Sequence, residues 1–448
     1  MKKFIKICMV TAGIMIFAAC GQAANGGGAA TPPAAGGDTD APAAATDAAE
    51  AGTGYINLHG MNLTLEPVEL MLWLPYEDWA DAMIEAFTAM HPNVIINFQE
   101  MGYTEGRGAM ALDGPAGLGA DIFAFPHDQF AFAMADGLIE PIPEGLQAHL
   151  ESQLISTAIG TTLHNGRMHT VPFQVENIAL FYNRDLWGNT PPATWEEVLE
   201  FSQGWNDPAN NQWTMTWEAG VGFHNFIWLT AGGMELFGPD NDDFRNIGFD
   251  SPGAALGLEY YLRMRQLFDI PMADINWNTG EERFRLGEIP LTITGPWAIH
   301  ETLQNGVNFG VTRFPTIEGR QPYAFSGVMQ VAVSSYSLNK PWAYAFAEFM
   351  VSPEGATILY EYRHMMTTRI DVELIPGLSD DPYLLGIAEQ SPFTIPMPTI
   401  PEVSFMWTPL DELFQFVWDG DLTIAESQER AMETYRTLLT VAGIDTDF

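Results

Sequence analysis

Aromatic residues occupy three positions where a predicted strand or loop gives way to a helix. Phe125 closes the strand Ala120–Phe125, Trp297 follows a Gly-Pro corner after another strand, and Trp407 opens a helix behind a proline-rich loop. In open α/β sheets, ligands bind outside the carboxyl ends of the strands. A ring face beside a carboxylate suits a sugar there, because the ring packs on C–H groups while the acid binds hydroxyls. Spacing alone favours the alternative, in which each ring packs in the core.

Motifs of enzymatic or metal sites are missing from the sequence, which has no nucleophile elbow, P-loop, GxGxxG, HExxH or CxxC. Asp and Glu number 57, so a nearby pair of carboxylates does not identify a glycosidase. The acidic turn Asp240–Asp243 lacks the spacing of a calcium loop. The nine histidines show no metal-ligand spacing, and we interpret His127 and His224 as hydrogen-bonding residues. We predict no enzymatic activity, no metal and no cofactor; a secreted glycosidase is the less favoured alternative.

Length and composition indicate a globular protein with two lobes. The chain has 448 residues, more than one core usually supports, and is 47% hydrophobic and 12% aromatic. A formal net charge of −39 repels phosphate backbones, so we exclude nucleic acid as a partner.

The N-terminus has the pattern of an export signal. Lys2, Lys3 and Lys6 precede the apolar stretch Ile7–Phe17, which is too short to span a bilayer. Small residues then lead to Cys20, a pattern that looks like a bacterial lipobox. The alternative is an ordinary signal peptide with an incidental cysteine.

Residues 1–20 would then be a lipoprotein signal peptide, and residues 21–64, rich in Gly, Ala and Pro, a flexible linker. The globular part is predicted to begin near Leu65. A lipid on Cys20 would hold the protein at the extracellular face of a Gram-positive-type membrane, or on the periplasmic side in a Gram-negative cell.

Strand patterns alternate with helical ones over most of the remaining chain. Buried strands are predicted at Val68–Leu74 and Ala120–Phe125, and capping boxes begin helices at Thr194 and Thr423. A helix is also predicted over Ser404–Trp418. This alternation predicts α/β sheets with helices on both faces.

Four blocks of sequence resemble the maltose/maltodextrin-binding proteins of ABC importers, a branch of the extracellular solute-binding proteins. They are Gly119–Ile142, Asn165–Val198, Ile293–Gly319 and Met397–Trp407. The similarity runs in order from about Glu66 to Leu439. It implies a two-lobed, periplasmic-binding-protein-like (Venus-flytrap) α/β fold with three hinge crossings and a sugar in the cleft between the lobes.

The resemblance also implies limits for these parts. The N-terminal lobe would comprise residues 65–174 and 331–376, and the C-terminal lobe residues 179–325 and 383–448. The hinges would lie near residues 175–178, 326–330 and 377–382.

Matching positions imply the sugar-binding residues. Asp128 and Glu176 match family acids, Trp297 and Trp407 match stacking tryptophans, and Phe125 replaces a tryptophan. The remaining matched position is Glu77, where the family has an aspartate.

Three positions depart from the family pattern. Asp78 stands where the family has a sugar-binding lysine, and Gln129 and Asp411 stand where it has arginines. Losing these cations removes strong charge-assisted donors, so the exact sugar is left open. The loop 216–225 matches poorly; its candidates are Trp217, Glu218, Phe223 and His224.

The implied function is that of a lipid-anchored, monomeric binding protein. It would bind a maltose/maltodextrin-type α-glucan and deliver it to the permease subunits of an ABC transporter. Alternative ligands are another carbohydrate, a sugar phosphate, which the acidic charge disfavours, or a cationic solute such as a polyamine.

Overall fold

The computed structural model describes residues 54–446. The predicted signal peptide, the lipidation of Cys20 and residues 21–53 of the predicted linker lie outside this range. Within it, no helix is both long and apolar enough to cross a membrane.

The described chain begins with a β-hairpin. β1 (Tyr55–Leu58) pairs with β2 (Met61–Thr64) across the turn His59-Gly60, in which both φ angles are positive, 49° and 83°. Alternate apolar side chains of β2 are buried in the same core as the strands that follow. The linker prediction is therefore wrong for residues 55–64, because the alternating apolar side chains of β2 pack in a hydrophobic core.

The other strands are β3 (Val68–Leu74), β4 (Val94–Glu100), β5 (Ile122–Pro126), β6 (Leu163–His164), β7 (Arg167–Met168), β8 (Val171–Asn177), β9 (Ala179–Asn183), β10 (Leu291–Thr294), β11 (Phe309–Thr312), β12 (Ala324–Val333), β13 (Met366–Thr367) and β14 (Thr394–Pro396). The α-helices are α1 (Glu77–Met90), α2 (Tyr103–Asp113), α3 (Phe130–Ala135), α4 (Glu144–Glu151), α5 (Ser156–Gly160), α6 (Trp195–Trp205), α7 (Gly222–Gly232), α8 (Pro252–Arg263), α9 (Arg283–Arg285), α10 (Ile299–Gln304), α11 (Lys340–Met350), α12 (Pro353–Arg363), α13 (Pro382–Gln390), α14 (Trp407–Trp418) and α15 (Ile424–Val441).

Two separate sheets organise the chain. The larger is mixed, with strand order β13-β8-β12-β5-β3-β4 and β14 beside β12. The smaller has the order β10-β9-β11, and both of its pairings are antiparallel. Only Ile178 separates β8 of the large sheet from β9 of the small one, so the chain passes directly between the sheets.

Each sheet has its own hydrophobic core. The core of the large sheet includes side chains of α1, α4, α11 and α12, whereas that of the small sheet includes side chains of α6, α7, α8, α14 and α15. The predicted α/β class with two lobes is therefore confirmed. The residue limits of the lobes and hinges stay predictions.

Local signals define the helix starts at Thr194 and Thr423. At Thr194 only the hydroxyl half of the predicted capping box forms, because the Glu197 carboxylate accepts from the Ala193 N–H instead. The Thr423 hydroxyl accepts from the Glu426 N–H, while the Glu426 carboxylate accepts from the Thr423 N–H. This is the predicted capping box, which satisfies N–H groups that have no partner within the helix. The helix predicted over Ser404–Trp418 is divided into a 3₁₀ turn, Pro401–Phe405, and α14.

Candidate functional site

Trp297 is placed by the corner that follows β10. Gly295 and Pro296 end the strand, and a 3₁₀ turn leads into α10. A Cβ on Gly295 would lie 2.1 Å from the ring of Trp297, so a side chain there would displace the indole from the backbone it covers. The half-buried ring touches three hydrophobic cores, including those of both sheets. The corner therefore aims Trp297 at the junction of the lobes.

Four aromatic rings converge at this junction. The ring centroid of Phe223 lies 6.4 Å from that of Trp297, 6.3 Å from that of Trp407 and 6.0 Å from that of Phe325. Phe325 is buried, whereas the other three rings are half-buried. The structure thus brings together three of the aromatic residues predicted for the site: Phe223, Trp297 and Trp407.

Glu281 is the acid that holds Trp297. Its Oε2 accepts from Trp297 Nε1 at 3.2 Å and from Thr294 Oγ1 at 2.7 Å, and its Oε1 accepts from Arg285 Nη2 at 2.7 Å. Glu281 is 2% exposed and lies in a π-helical turn, Asn278–Glu282, a feature often found at functional sites. Glu281 is not among the site residues predicted from the sequence.

Glu218 and His224 lie beside Glu281 without strong partners of their own. Glu218 Oε2 is 3.5 Å from His224 Nδ1, and neither buried ring nitrogen of His224 has a hydrogen-bond partner within residues 54–446. The interpretation of His224 as a hydrogen-bonded residue is therefore wrong for this structure. Burial and the charge of Glu281 raise the pKa of Glu218 to about 7, and burial lowers that of His224. A ligand with hydroxyl groups could satisfy both side chains.

Asp128 is bonded to Trp407 across the junction. Trp407 Nε1 donates to Asp128 Oδ2 at 2.8 Å, and Ser404 Oγ donates to the Asp128 carbonyl at 3.1 Å. Burial raises the pKa of Asp128 to about 6. Its other oxygen, Oδ1, is buried and has no partner among the described atoms, so it can accept from a ligand.

His127 ties the same region together through the backbone. Its Nδ1 accepts from the Val328 N–H at 3.0 Å, and its Nε2 donates to the Met397 carbonyl at 3.2 Å. Burial lowers its pKa to about 4. The interpretation of His127 as a hydrogen-bonding residue is confirmed.

Glu176 is buried in β8, within the predicted first hinge. Its Oε2 accepts from Gln174 Nε2 at 2.9 Å. Burial raises its pKa to about 7, and the charge of Asp128 adds to this effect. At neutral pH a large fraction of this carboxyl therefore carries a proton that it can donate.

Two arginines that were not predicted as site residues bring positive charge to the region. Arg363 lies over the ring of Tyr76, its guanidinium carbon 3.7 Å from the centroid, and forms an ion pair with Glu301. Glu301 Oε2 is also 3.5 Å from Arg285 Nη1. Asp78, the residue that replaces a family lysine, is 3.7 Å from Arg363. Arg285 of α9 and Arg363 of α12 therefore pair with acidic side chains of this region.

No hydrogen bond or ring contact joins Glu77 or Gln129 to Phe223, Trp297 or Trp407 in the described part of the chain. Glu77 is exposed in the first turn of α1. The side chain of Gln129 accepts from Arg107 Nε at 3.3 Å and donates to the Thr104 carbonyl at 3.2 Å.

Phe125 and Trp217 are fully buried. Phe125 packs against Phe123 in a core behind β5, with centroids 5.5 Å apart. Trp217 lies in the core of the small sheet, where its Nε1 donates to Asn225 Oδ1 at 2.9 Å. For both rings the structure favours the core-packing alternative over a ligand contact.

Asp411, the third departure from the family pattern, has a structural role. Its Oδ1 accepts from the Gly222 N–H at 2.6 Å, at the first residue of α7. A carboxylate at this end of a helix satisfies a free N–H and complements the helix dipole. Asp411 therefore holds the start of the helix that carries Phe223 and His224.

Two α/β lobes with aromatic rings and buried acids at their junction define a two-lobed binding protein. The chain belongs to the family of bacterial extracellular solute-binding proteins, whose model matches residues 82–385.

Two relatives of known ligand have equal identity to this chain. The maltotriose-binding protein of Pyrococcus abyssi is 27% identical over 368 residues, which cover 81% of this chain and 77% of that protein. The galactooligosaccharide-binding protein of Bacillus subtilis is 27% identical over 382 residues, covering 82% and 88%. Their names specify different oligosaccharides.

A solved structure shares the fold. The Thermus thermophilus maltotriose binding protein bound with maltotriose matches with a TM-score of 0.75, at 22% identity, over 83% of this chain and 100% of that chain. This likeness agrees with the two-lobed fold inferred from the two sheets.

Proposed function

We propose that the chain is the binding protein of an ABC importer and captures an oligosaccharide between its lobes. The observation that carries this proposal is the convergence of three half-buried rings, Phe223, Trp297 and Trp407, at the junction of the two sheets. Rings of this kind pack on the apolar face of a sugar, each burying about 150–250 Å² in a packed site. The family and the two relatives are binding proteins, so the chain is not an enzyme.

The acids around the rings suit hydroxyl groups. Asp128 Oδ1 and the nitrogens of His224 are buried without partners in the described part of the chain. A sugar hydroxyl can both donate and accept, so it could bond an acid that carries a proton and one that does not. Satisfying buried polar atoms in this way contributes specificity, because a ligand without those hydroxyls leaves them unpaired.

The charges around the cleft favour a neutral ligand over a polyamine. Glu281 and Glu301 are paired with Arg285 or Arg363. Burial also raises the pKa of Glu176 and Glu218 to about 7, which lowers their negative charge. A cleft specialised for a cation would present unpaired carboxylates instead.

Within the sugars, we infer a maltose/maltodextrin-type α-glucan as the ligand. Maltotriose, a galactooligosaccharide and spermidine should be compared by calorimetry and thermal shift, since a bound ligand raises the melting temperature. Binding of maltotriose alone or most tightly is expected. Preference for the galactooligosaccharide would show that the ligand is an oligosaccharide other than an α-glucan. Binding of spermidine alone would overturn the proposed sugar-binding function. A maltodextrin incubated with the protein should be recovered uncleaved.

Closure of the lobes is part of the proposal. We propose the lobe limits predicted above, with hinges near residues 175–178, 326–330 and 377–382. A ligand drives closure only through contacts that differ between the open and closed states. Small-angle X-ray scattering with and without sugar should show a smaller radius of gyration for the complex.

The cellular location follows from the N-terminus. We propose that a lipid on Cys20 anchors the protein, as a monomer, at the extracellular face of the membrane beside its permease. The variant Cys20→Ala should appear in the medium, whereas the unaltered protein should stay with the membrane fraction. Equal partitioning of the two proteins between medium and membrane would show that Cys20 does not anchor the protein.

A further inference from the structure

A second cluster of polar side chains lies outside the cleft. His59 stands in the hairpin turn, His149 on α4 and Glu348 on α11. The Nε2 atoms of the two histidines lie 2.7 and 3.2 Å from the same atom, Glu348 Oε1. The side chains of His59, His149 and Glu348 are 21%, 31% and 17% exposed. Three metal-ligating atoms therefore converge where an ion from solvent can reach them.

The surroundings of His149 leave its Nε2 with conflicting neighbours. Gln153 Nε2 lies 3.1 Å away, and its amide is oriented by Arg369 Nη1, which donates to Gln153 Oε1 at 3.0 Å. The amide therefore presents an N–H to His149, while Glu348 Oε1 presents a lone pair to the same nitrogen. No protonation state of His149 satisfies both neighbours. A cation between His149 Nε2 and Glu348 Oε1 would resolve this conflict, because both atoms would then be ligands of the same ion.

The position of His59 is also unusual. Its φ of 49° lies in the left-handed region, where the first residue of such a turn is most often Asn. A Cβ on Gly145, at the start of α4, would lie 2.2 Å from the His59 carbonyl oxygen, so the turn is pressed against this helix. The backbone of His59 is thus held against α4, and its ring stacks on that of His149 with centroids 4.2 Å apart.

We propose that His59, His149 and Glu348 form a Zn²⁺ site with a fourth position open to water. Two imidazole nitrogens and a carboxylate are a common ligand set for this ion and a poor one for Ca²⁺ or Mg²⁺. Tetrahedral ligands around Zn²⁺ lie roughly 3.3 Å apart, so the observed separations need to open only slightly. No metal was predicted from the sequence, because these ligands come from three separate segments.

The proposed ion would join the hairpin to α4 and α11. The hairpin is the first described element, so the ion would fix the point at which the preceding chain enters the N-terminal lobe. We expect Zn²⁺ to raise the melting temperature while the affinity of the cleft for sugar stays the same. This inference is independent of the proposed function.

Zinc binding to the purified full chain should be measured by equilibrium dialysis and by competition with a chromophoric chelator. One tightly bound Zn²⁺ per chain is expected, with an affinity that falls by about tenfold or more in His59→Asn and in Glu348→Gln. His59→Asn keeps a residue that suits the turn, so its fold should survive. The matched control is His164→Gln, which alters an exposed histidine in β6 and should bind Zn²⁺ like the unaltered protein.

Cobalt provides a second readout that does not depend on stability. Co²⁺ at this site should give visible d–d absorption bands, and these bands should be lost in His59→Asn. Equal Zn²⁺ affinity in all variants, or displacement of Zn²⁺ by equimolar Ca²⁺, would overturn the proposal and assign the binding to the general acidic surface.

Discussion

Phe125 and Trp297 occupy similar places in the sequence but different places in the fold. Both are aromatic residues at the carboxyl end of a strand, just before a short helix. Phe125 is still paired within the sheet, opposite Gln330 of β12, and is fully buried. Trp297 lies beyond the last residue of β10 and remains half-buried at the lobe junction.

The difference shows that a shift of one or two positions along the chain decides whether an aromatic side chain packs in the core or reaches the site. Inside a strand, side chains alternate between the two faces of the sheet, so Phe125 points to the same side as Phe123. Beyond the end of the strand, side chains no longer alternate between two faces. The turn at Gly295 sets the direction of the Trp297 side chain instead. The predictions below test this contrast between residues within a strand and residues beyond its end.

Phe125→Ala should have the largest effect on stability and little effect on binding. Removing a buried Phe side chain costs about 3–5 kcal/mol of unfolding free energy, because it leaves a cavity. Urea unfolding of the ligand-free protein measures this loss, and calorimetry on the folded variant measures affinity. A variant that unfolds like the unaltered protein but no longer binds sugar would make Phe125 a platform after all.

Trp297→Ala should lower the affinity for sugar more than tenfold, or by more than about 1.4 kcal/mol. Its loss of stability should be smaller than that of Phe125→Ala, because the ring is only partly buried. The matched control is Trp187→Ala, which removes a half-buried tryptophan packed on Phe201 of α6. Titration calorimetry that finds equal affinities for the two variants would remove Trp297 from the site.

Glu176→Gln should change the pH dependence of stability. The folded pKa of Glu176 is raised from 4.5 to about 7, so between these values the folded state binds the proton more tightly than the unfolded chain. Lowering the pH from 7.5 to 5.5 therefore increases the unfolding free energy contributed by this group, by on the order of 1–2 kcal/mol. The variant should lose this gain.

The readout for Glu176 is the difference between the two proteins, measured by urea unfolding at both pH values. Buried histidines such as His127 and His224 have lowered pKa values, so they act in the opposite direction as the pH falls. They are common to both proteins and cancel in the difference. Identical pH profiles would show that Glu176 is ionised in the folded state.

Glu77→Gln should have the smallest effect. Glu77 lies beyond the end of β3, as Trp297 lies beyond β10, but no corner turns it toward the rings, and it stays exposed. Changes in stability and sugar affinity should remain within about 0.5 kcal/mol. A larger loss of affinity by calorimetry would show that Glu77 belongs to the site. A position beyond the end of a strand would then be enough to bring a side chain to the ligand.

Local chemistry explains what the sequence predicted correctly. The capping box at Thr423 and the Gly-Pro corner before Trp297 depend on neighbours a few residues away, so their residue types are informative by themselves. Alternating apolar residues at 55–64 also favour strands. They directly follow a Gly- and Ala-rich segment, so the start of the globular part was placed after them.

The sequence by itself determined the α/β class and the resemblance to a family, and it predicted that Trp297 and Trp407 bind the ligand. The tertiary structure alone decided that Phe125 packs in the core and that Glu281 holds Trp297. It also decided that Arg363 pairs with Glu301, and that His59 meets Glu348 across 289 positions. These contacts join segments that are distant along the chain. Their partners depend on how sheets and helices pack, and no spacing within a single segment records that packing.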